Sequence, residues 1–145
     1  MARLTRMTRL LAACLLLAAS AAPAMARPAA ARPSYTAEQA DRGAALYQGA
    51  CAMCHGASLG GAFDVPPLTG RFVMNWAGAP LSDLFGYIRR AMPQMAPGTL
   101  SADDTASLVA FLLRQNGTAP GGTLLAARPQ ALTRVVFPFA GSGAH

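Results

Sequence analysis

Apolar residues recur at helical spacing in three stretches of the chain, and each stretch is bounded by residues that start or stop helices. The first stretch begins with Thr36 and Gln39, which are spaced as in a capping box. We predict a helix from there to Tyr47 or Gln48, ended near Gly49. Its apolar positions fall at i, i+4 and i+7 and therefore share one face: Ala40, Ala44 and Tyr47.

The second stretch predicts a helix from about Pro80 or Leu81 to Ala91. Proline suits the first turn of a helix, and the residue before Pro93 is pushed out of the helical region, so the helix ends at Met92-Pro93. Its apolar stripe consists of Leu81, Leu84, Phe85 and Ile88. A shorter apolar patch precedes this helix, at Phe72, Val73, Met74 and Trp76.

The third stretch predicts a helix with Ser101 as its N-cap and Asn116-Gly117 as its stop signal. One of its faces carries Leu108, Phe111, Leu112 and Gln115. Strand-like alternation and internal repeats are absent from the sequence. The pattern therefore predicts a small all-α domain.

The chain divides into four regions. Residues 1–26 read as a signal peptide, because a basic segment with three arginines is followed by an apolar run and by the cleavage signal Ala24-Met25-Ala26. Residues 27–34 are rich in Ala and Pro and predict a flexible lead-in, and residues 35–117 form the domain. Residues 118–145 predict an extended tail that packs partly on the domain through an apolar piece at 135–139.

Export has consequences for charge and for location. The leader contains three of the 12 arginines and none of the six acidic residues, so its removal lowers the formal charge from +6 to +3. The apolar run is too short to span a bilayer, and Cys14 lies before most of that run, where a lipid-anchor cleavage site would not be expected. Basic and aromatic residues are not interleaved, which argues against nucleic acid as a partner. We expect a periplasmic protein without stable membrane insertion.

The candidate chemistry lies in Cys51-Ala52-Met53-Cys54-His55. In an exported chain, C-x-x-C-H is typical of covalent haem c attachment, with a thioether from each cysteine and the histidine as an iron ligand. A zinc site would need further Cys or His ligands, and His145 is the only residue of either type after His55. A redox dithiol would be expected in a βαβ unit, which this sequence lacks, and a simple disulfide beside a chance histidine is the remaining alternative.

These residues resemble the class I c-type cytochromes. The resemblance covers roughly residues 35–117 and rests on the C-x-x-C-H motif, on Pro66-x-Leu68-x-Gly70, on a helix ending in Met92-Pro93 and on the final helix. The segments 87–93 and 96–101 are similar to bacterial monohaem cytochromes that serve periplasmic dehydrogenases. The resemblance implies a cytochrome c-like helical domain around one haem c, with the first and last helices crossing at Gly43 and Tyr47 against Leu108 and Phe111.

The resemblance also implies a set of haem contacts. A methionine completes the iron coordination, and the match places it at Met92; Met95 is the first alternative and Met74 the second. Met53 is excluded sterically, since it lies between the two cysteines. The carbonyl of Pro66, or else of Pro67, accepts a hydrogen bond from the histidine, and the haem propionates could be bound by Arg71, Asn75 and Trp76.

A His/Met iron has no open coordination position, which favours electron transfer over catalysis. We therefore expect an electron carrier that is not an enzyme and binds no small-molecule substrate. It would take electrons from a dehydrogenase and pass them to an oxidase or another cytochrome of the respiratory chain. The alternatives are a pentacoordinate haem c enzyme or gas sensor, and an obligate cytochrome subunit of a dehydrogenase that uses the tail from Thr118 as its interface.

Overall fold

The computed structural model describes residues 29–139, and the predicted signal peptide lies outside them. Within the described residues the chain forms helices joined by loops, and β-structure is limited to isolated bridges. The predicted all-α class is confirmed. The helices are α1 (Ala37–Ala50), α2 (Ala52–His55), α3 (Arg71–Trp76), α4 (Leu81–Ala91), α5 (Ala102–Gln115) and α6 (Pro129–Leu132). None of the helices in this range has the length and apolar character needed to cross a membrane.

The three long helices begin and end close to where their capping residues predict. Thr36 accepts a hydrogen bond from the Gln39 N–H at 3.2 Å, and Ser101 accepts one from the Asp104 N–H at 3.0 Å. Helix α4 ends at Ala91, directly before Met92. Three short helices were not predicted: α2 forms within the C-x-x-C-H segment, α3 forms where only an apolar patch was expected, and α6 forms inside the tail.

Helices α1 and α5 cross at a point where only glycine fits. A Cβ added to Gly43 would lie 1.9 Å from the Ser107 carbonyl oxygen and 2.8 Å from the Phe111 Cβ. One turn further along α1, the Tyr47 ring packs on the Phe111 ring with their centroids 5.2 Å apart. This is the crossing expected from the sequence. Helix α5 is buried over most of its length, from Thr105 to Leu113, between α1 and the rest of the core.

The tail is part of the core. The Gln39 side chain donates to the Leu125 carbonyl at 3.0 Å and accepts from the Leu125 N–H at 2.8 Å. Phe137 is buried and meets the Phe72 ring edge-on at 5.6 Å. Its N–H donates to the Ala79 carbonyl at 2.9 Å. Parts of residues 118–139 therefore pack along α1, α3 and α4, through the buried side chains of Leu125, Leu132 and Phe137.

The lead-in is also anchored where the structure describes it. The Ala31 N–H donates to the Arg134 carbonyl at 2.8 Å, and the Ala31 carbonyl accepts from the Val136 N–H at 3.3 Å. Tyr35 is fully buried, and its hydroxyl donates to the Thr118 carbonyl. The tail therefore supplies backbone partners to Ala31 that a local reading of the sequence does not reveal, and the flexibility of residues 27–34 stays a prediction.

The crossing of α1 and α5 can be tested with two glycines of the same helix. We expect Gly43→Ala to lower the stability of the protein by about 1–3 kcal/mol or more, since the new methyl group would overlap backbone atoms of α5. Gly49→Ala is the matched control. A Cβ there meets nothing within 4 Å, so alanine should raise stability by about 0.5–1 kcal/mol through its higher helix propensity.

The measurement is urea unfolding of both variants followed by circular dichroism. Opposite signs for the two substitutions would support the tight crossing. A neutral or stabilising Gly43→Ala would contradict it.

Candidate functional site

The residues that the sequence predicts to bind the cofactor all line one large cavity. Its volume is about 790 Å³, within the roughly 300–1,000 Å³ usual for cofactor and ligand pockets. The C-x-x-C-H segment, the Met92 loop and α3 all contribute to its lining. The remaining lining side chains are mainly apolar and come from α1, α4, α5 and the loop at 64–68, among them Leu84, Ile88, Leu108 and Leu112.

Helix α2 holds the two cysteines on one turn of backbone. The N–H groups of Cys54 and His55 both donate to the Cys51 carbonyl, at 3.1 and 2.9 Å. Cys51 is half-buried and Cys54 is exposed, and the two are not joined by a disulfide. Burial raises the pKa of the Cys51 thiol, and the negative charge that Cys54 could carry raises it further. Both sulfur-bearing side chains line the cavity, as attachment to one ligand requires.

His55 is oriented by a proline carbonyl. Its Nδ1 lies 3.2 Å from the carbonyl oxygen of Pro66, and its own carbonyl accepts from the Gly61 N–H at 2.8 Å. A histidine that binds a metal usually donates its other ring N–H in this way, which leaves Nε2 as the ligand atom. The acceptor is Pro66, while Pro67, the alternative, lines the cavity without this bond to His55.

The methionines differ in their access to the cavity. Met92 lines it, is partly buried, and is fixed at the end of α4 by the bond from its N–H to the Ile88 carbonyl at 2.9 Å. Met95 also lines the cavity, but 77% of it is exposed. Met53 lies at the rim and is largely exposed, and Met74 is exposed and does not contribute to the lining. Of the four, Met92 is the one held between the cavity and the core.

Helix α3 places the three candidate propionate contacts at the cavity. Arg71, Asn75 and Trp76 all line it, and Arg71 and Asn75 are four residues apart on one face of the helix. Trp76 is further held by aromatic contacts with Phe72 and Tyr87, at centroid distances of 6.2 and 6.0 Å. The sequence named these residues but did not predict the helix that groups them.

Sequence reasoning gave Tyr47 a packing role only. In the structure its ring also lines the cavity, and its hydroxyl donates to the Gly56 carbonyl at 2.5 Å. Burial, with a smaller contribution from the nearby Cys51, raises the pKa of Tyr47, so the hydroxyl stays protonated at neutral pH and remains a donor. The sequence feature that could have revealed this contact is the spacing: Tyr47 lies four residues, or about one helical turn, before Cys51.

The donor set fits a covalently attached haem. Two thiols on one turn, an oriented imidazole and a partly buried thioether line one largely apolar cavity. No three side chains of the types that bind zinc converge within residues 29–139, and His145 lies outside the described residues. The fold and this site define a class I c-type cytochrome that carries haem c.

Comparison with known proteins agrees with this class. The chain belongs to the family described as cytochrome c oxidase, cbb3-type, subunit III, whose model matches residues 38–112. It is also similar to a crystal structure of the sulfane dehydrogenase SoxCD from Paracoccus pantotrophus, with 32% identity and a TM-score of 0.54. That match covers 68% of this chain and 53% of the other, so this chain spans about half the length of that relative. No curated protein sequence matches.

The attachment site can be tested by removing both thiols. We expect the Cys51→Ala/Cys54→Ala double variant to lose all covalently bound haem, since no other thiol lines the cavity. Each single variant should keep haem through one thioether. The measurement is haem peroxidase staining in denaturing gels.

Met53→Ala is the matched control, because Met53 lies between the cysteines and is largely exposed. It should retain the stained band. A band of normal intensity in the double variant would contradict the assignment.

Proposed function

We propose that this protein is a periplasmic electron carrier with one haem c, ligated by His55 and Met92. The observation that carries the proposal is that both residues line one cavity, the first oriented by Pro66 and the second held at the end of α4. When bound, the haem supplies reversible one-electron exchange between ferrous and ferric iron. With His55 and Met92 both bound to the iron, the site would transfer electrons without binding a substrate there.

The residues of this chain set the conditions for that exchange. Cys51 and Cys54 tether the group, and the Pro66 carbonyl fixes the tautomer of His55. A thioether from Met92 favours the ferrous state relative to a second imidazole. The apolar lining from α4 and α5 keeps water away, which also disfavours the additional positive charge of ferric iron. These effects together favour a relatively high reduction potential.

The proposed partners are redox proteins: a periplasmic dehydrogenase as donor, and an oxidase or another cytochrome of the respiratory chain as acceptor. Arg89 and Arg90 are exposed at the end of α4, directly before the Met92 loop, and Arg71 is exposed at the cavity. Charges so placed can steer an acidic partner surface toward the haem site. Export by the predicted leader of residues 1–26 would bring the protein to the compartment where such partners act.

A second candidate is an obligate cytochrome subunit of a dehydrogenase complex. The similarity to the sulfane dehydrogenase SoxCD favours it, because this chain spans only about half of that relative. The tail from Thr118 was the expected interface, yet its inner side is already used within the domain through Leu125, Leu132 and Phe137. An interface there would have to use the outer side of the tail. Purification from the native periplasm distinguishes a free carrier from a subunit of constant stoichiometry.

Substitution of Met92 tests the proposed ligation. Ferric iron bound by a thioether shows a weak charge-transfer band at long wavelength. We expect Met92→Ala to abolish this band, to open a position for carbon monoxide in the ferrous protein, and to lower the reduction potential. The measurements are visible spectroscopy and a redox titration of the holoprotein.

Met95→Leu is the control in the same loop. It should leave the band and the potential nearly unchanged, since Met95 is largely exposed and the swap conserves volume, at a cost under about 1.5 kcal/mol. Loss of the band in Met95→Leu but not in Met92→Ala would assign the ligand to Met95. Ready binding of carbon monoxide by the wild-type ferrous protein would instead favour the pentacoordinate enzyme or sensor.

A further inference from the structure

Tyr47 contacts the haem-attachment segment at both of its ends. Its backbone carbonyl accepts a hydrogen bond from the Cys51 N–H at 2.8 Å, where the segment begins. Its hydroxyl donates to the Gly56 carbonyl at 2.5 Å, directly after His55. One residue of α1 thus contacts the backbone on both sides of the motif, at Cys51 and at Gly56.

The hydroxyl of Tyr47 is held in place by the core. Only 1% of Tyr47 is exposed, and its ring packs on the Phe111 ring of α5. At Gly43, one turn earlier, the backbone of α1 packs directly against the backbone of α5. A donor fixed in this manner presents its O–H dipole to the Gly56 carbonyl with little freedom to reorient.

The bond to Gly56 completes a set of three contacts around His55. The imidazole Nδ1 faces the Pro66 carbonyl, and the His55 carbonyl accepts from the Gly61 N–H. Gly56 has a φ of +78°, a conformation that other residues adopt only with strain, and its carbonyl accepts the bond from Tyr47. Without the hydroxyl, the last of these contacts is lost and a carbonyl dipole near the site is left without its donor.

We propose that Tyr47 is a positioning residue: its hydroxyl fixes the Gly56–Ala57 peptide, the second peptide after His55, and thereby raises the reduction potential of the iron. The inference rests on the proposed haem ligation by His55 and Met92. The donated hydrogen bond withdraws negative charge from the Gly56 carbonyl. Its removal leaves more negative potential beside the ligand, which stabilises ferric iron more than ferrous iron.

The first arm of the test compares Tyr47→Phe with Tyr35→Phe in the holoprotein. Both tyrosines are almost fully buried, and both hydroxyls donate to backbone carbonyls, but Tyr47 lines the cavity and bonds directly after His55, whereas Tyr35 does not line it and bonds to Thr118. We expect both substitutions to keep covalent haem and to lower the unfolding temperature. Tyr47→Phe alone should lower the midpoint potential and speed amide exchange at Gly61, whose N–H bonds to His55.

The second arm strengthens the donor instead of removing it, and it does not depend on the folding of Tyr47→Phe. The chain has three tyrosines, so Tyr35→Phe/Tyr87→Phe leaves Tyr47 as the single one. Incorporation of 3-fluorotyrosine into this variant makes the phenol more acidic and therefore a better donor. We expect a higher midpoint potential than in the same variant with ordinary tyrosine.

The outcomes separate this inference from the proposed function. A lower potential in Tyr47→Phe but not in Tyr35→Phe, together with a higher one on fluorination, supports the positioning role. The absence of either shift overturns it while leaving electron transfer intact. A wild-type protein without a reversible one-electron couple would instead overturn the proposed function.

Discussion

The close crossing of α1 and α5 is the constraint on which the site depends. Gly43 lets the backbone of α5 approach so closely that a single methyl group would not fit. This approach puts the Tyr47 ring on Phe111 and directs the tyrosine hydroxyl toward Gly56. Because Cys51 follows α1 directly, the position of α1 also sets where the first thiol enters the cavity. Packing between two helices thus fixes the attachment segment relative to the cavity wall that α5 provides.

The parts that sequence predicted well depend on local chemistry. Thr36 and Ser101 cap α1 and α5, and Met92 follows the last residue of α4, because caps and Pro93 act over one turn of backbone. The spacing of Cys51, Cys54 and His55 likewise needs no tertiary information. Each of these signals is contained in a few consecutive residues, and the structure places them as expected.

What sequence did not predict depends on distant partners. Gln39 was expected to complete a capping box with Thr36, yet its side chain binds both backbone groups of Leu125, 86 residues away. A buried backbone segment needs such partners, and a side-chain amide can satisfy one donor and one acceptor at once. The anchoring of the lead-in and tail follows the same rule. Gln115, predicted on the apolar face of α5, is exposed because that face ends one turn before the helix does.

The tail supports the cavity from behind. Phe137 packs edge-on against Phe72, and the backbone around it bonds to Gly78 and Ala79, which connect α3 to α4. These two helices carry the residues expected to contact the haem propionates and the residues that precede the methionine loop. The tail therefore helps to fix the position of α3 relative to α4. The hydrogen bond from Tyr47 to Gly56 plays the same part for α1 and α2. A small domain with a large cavity has a small hydrophobic core. Contacts on the outer side of α3 and α4 therefore contribute directly to the shape of the site.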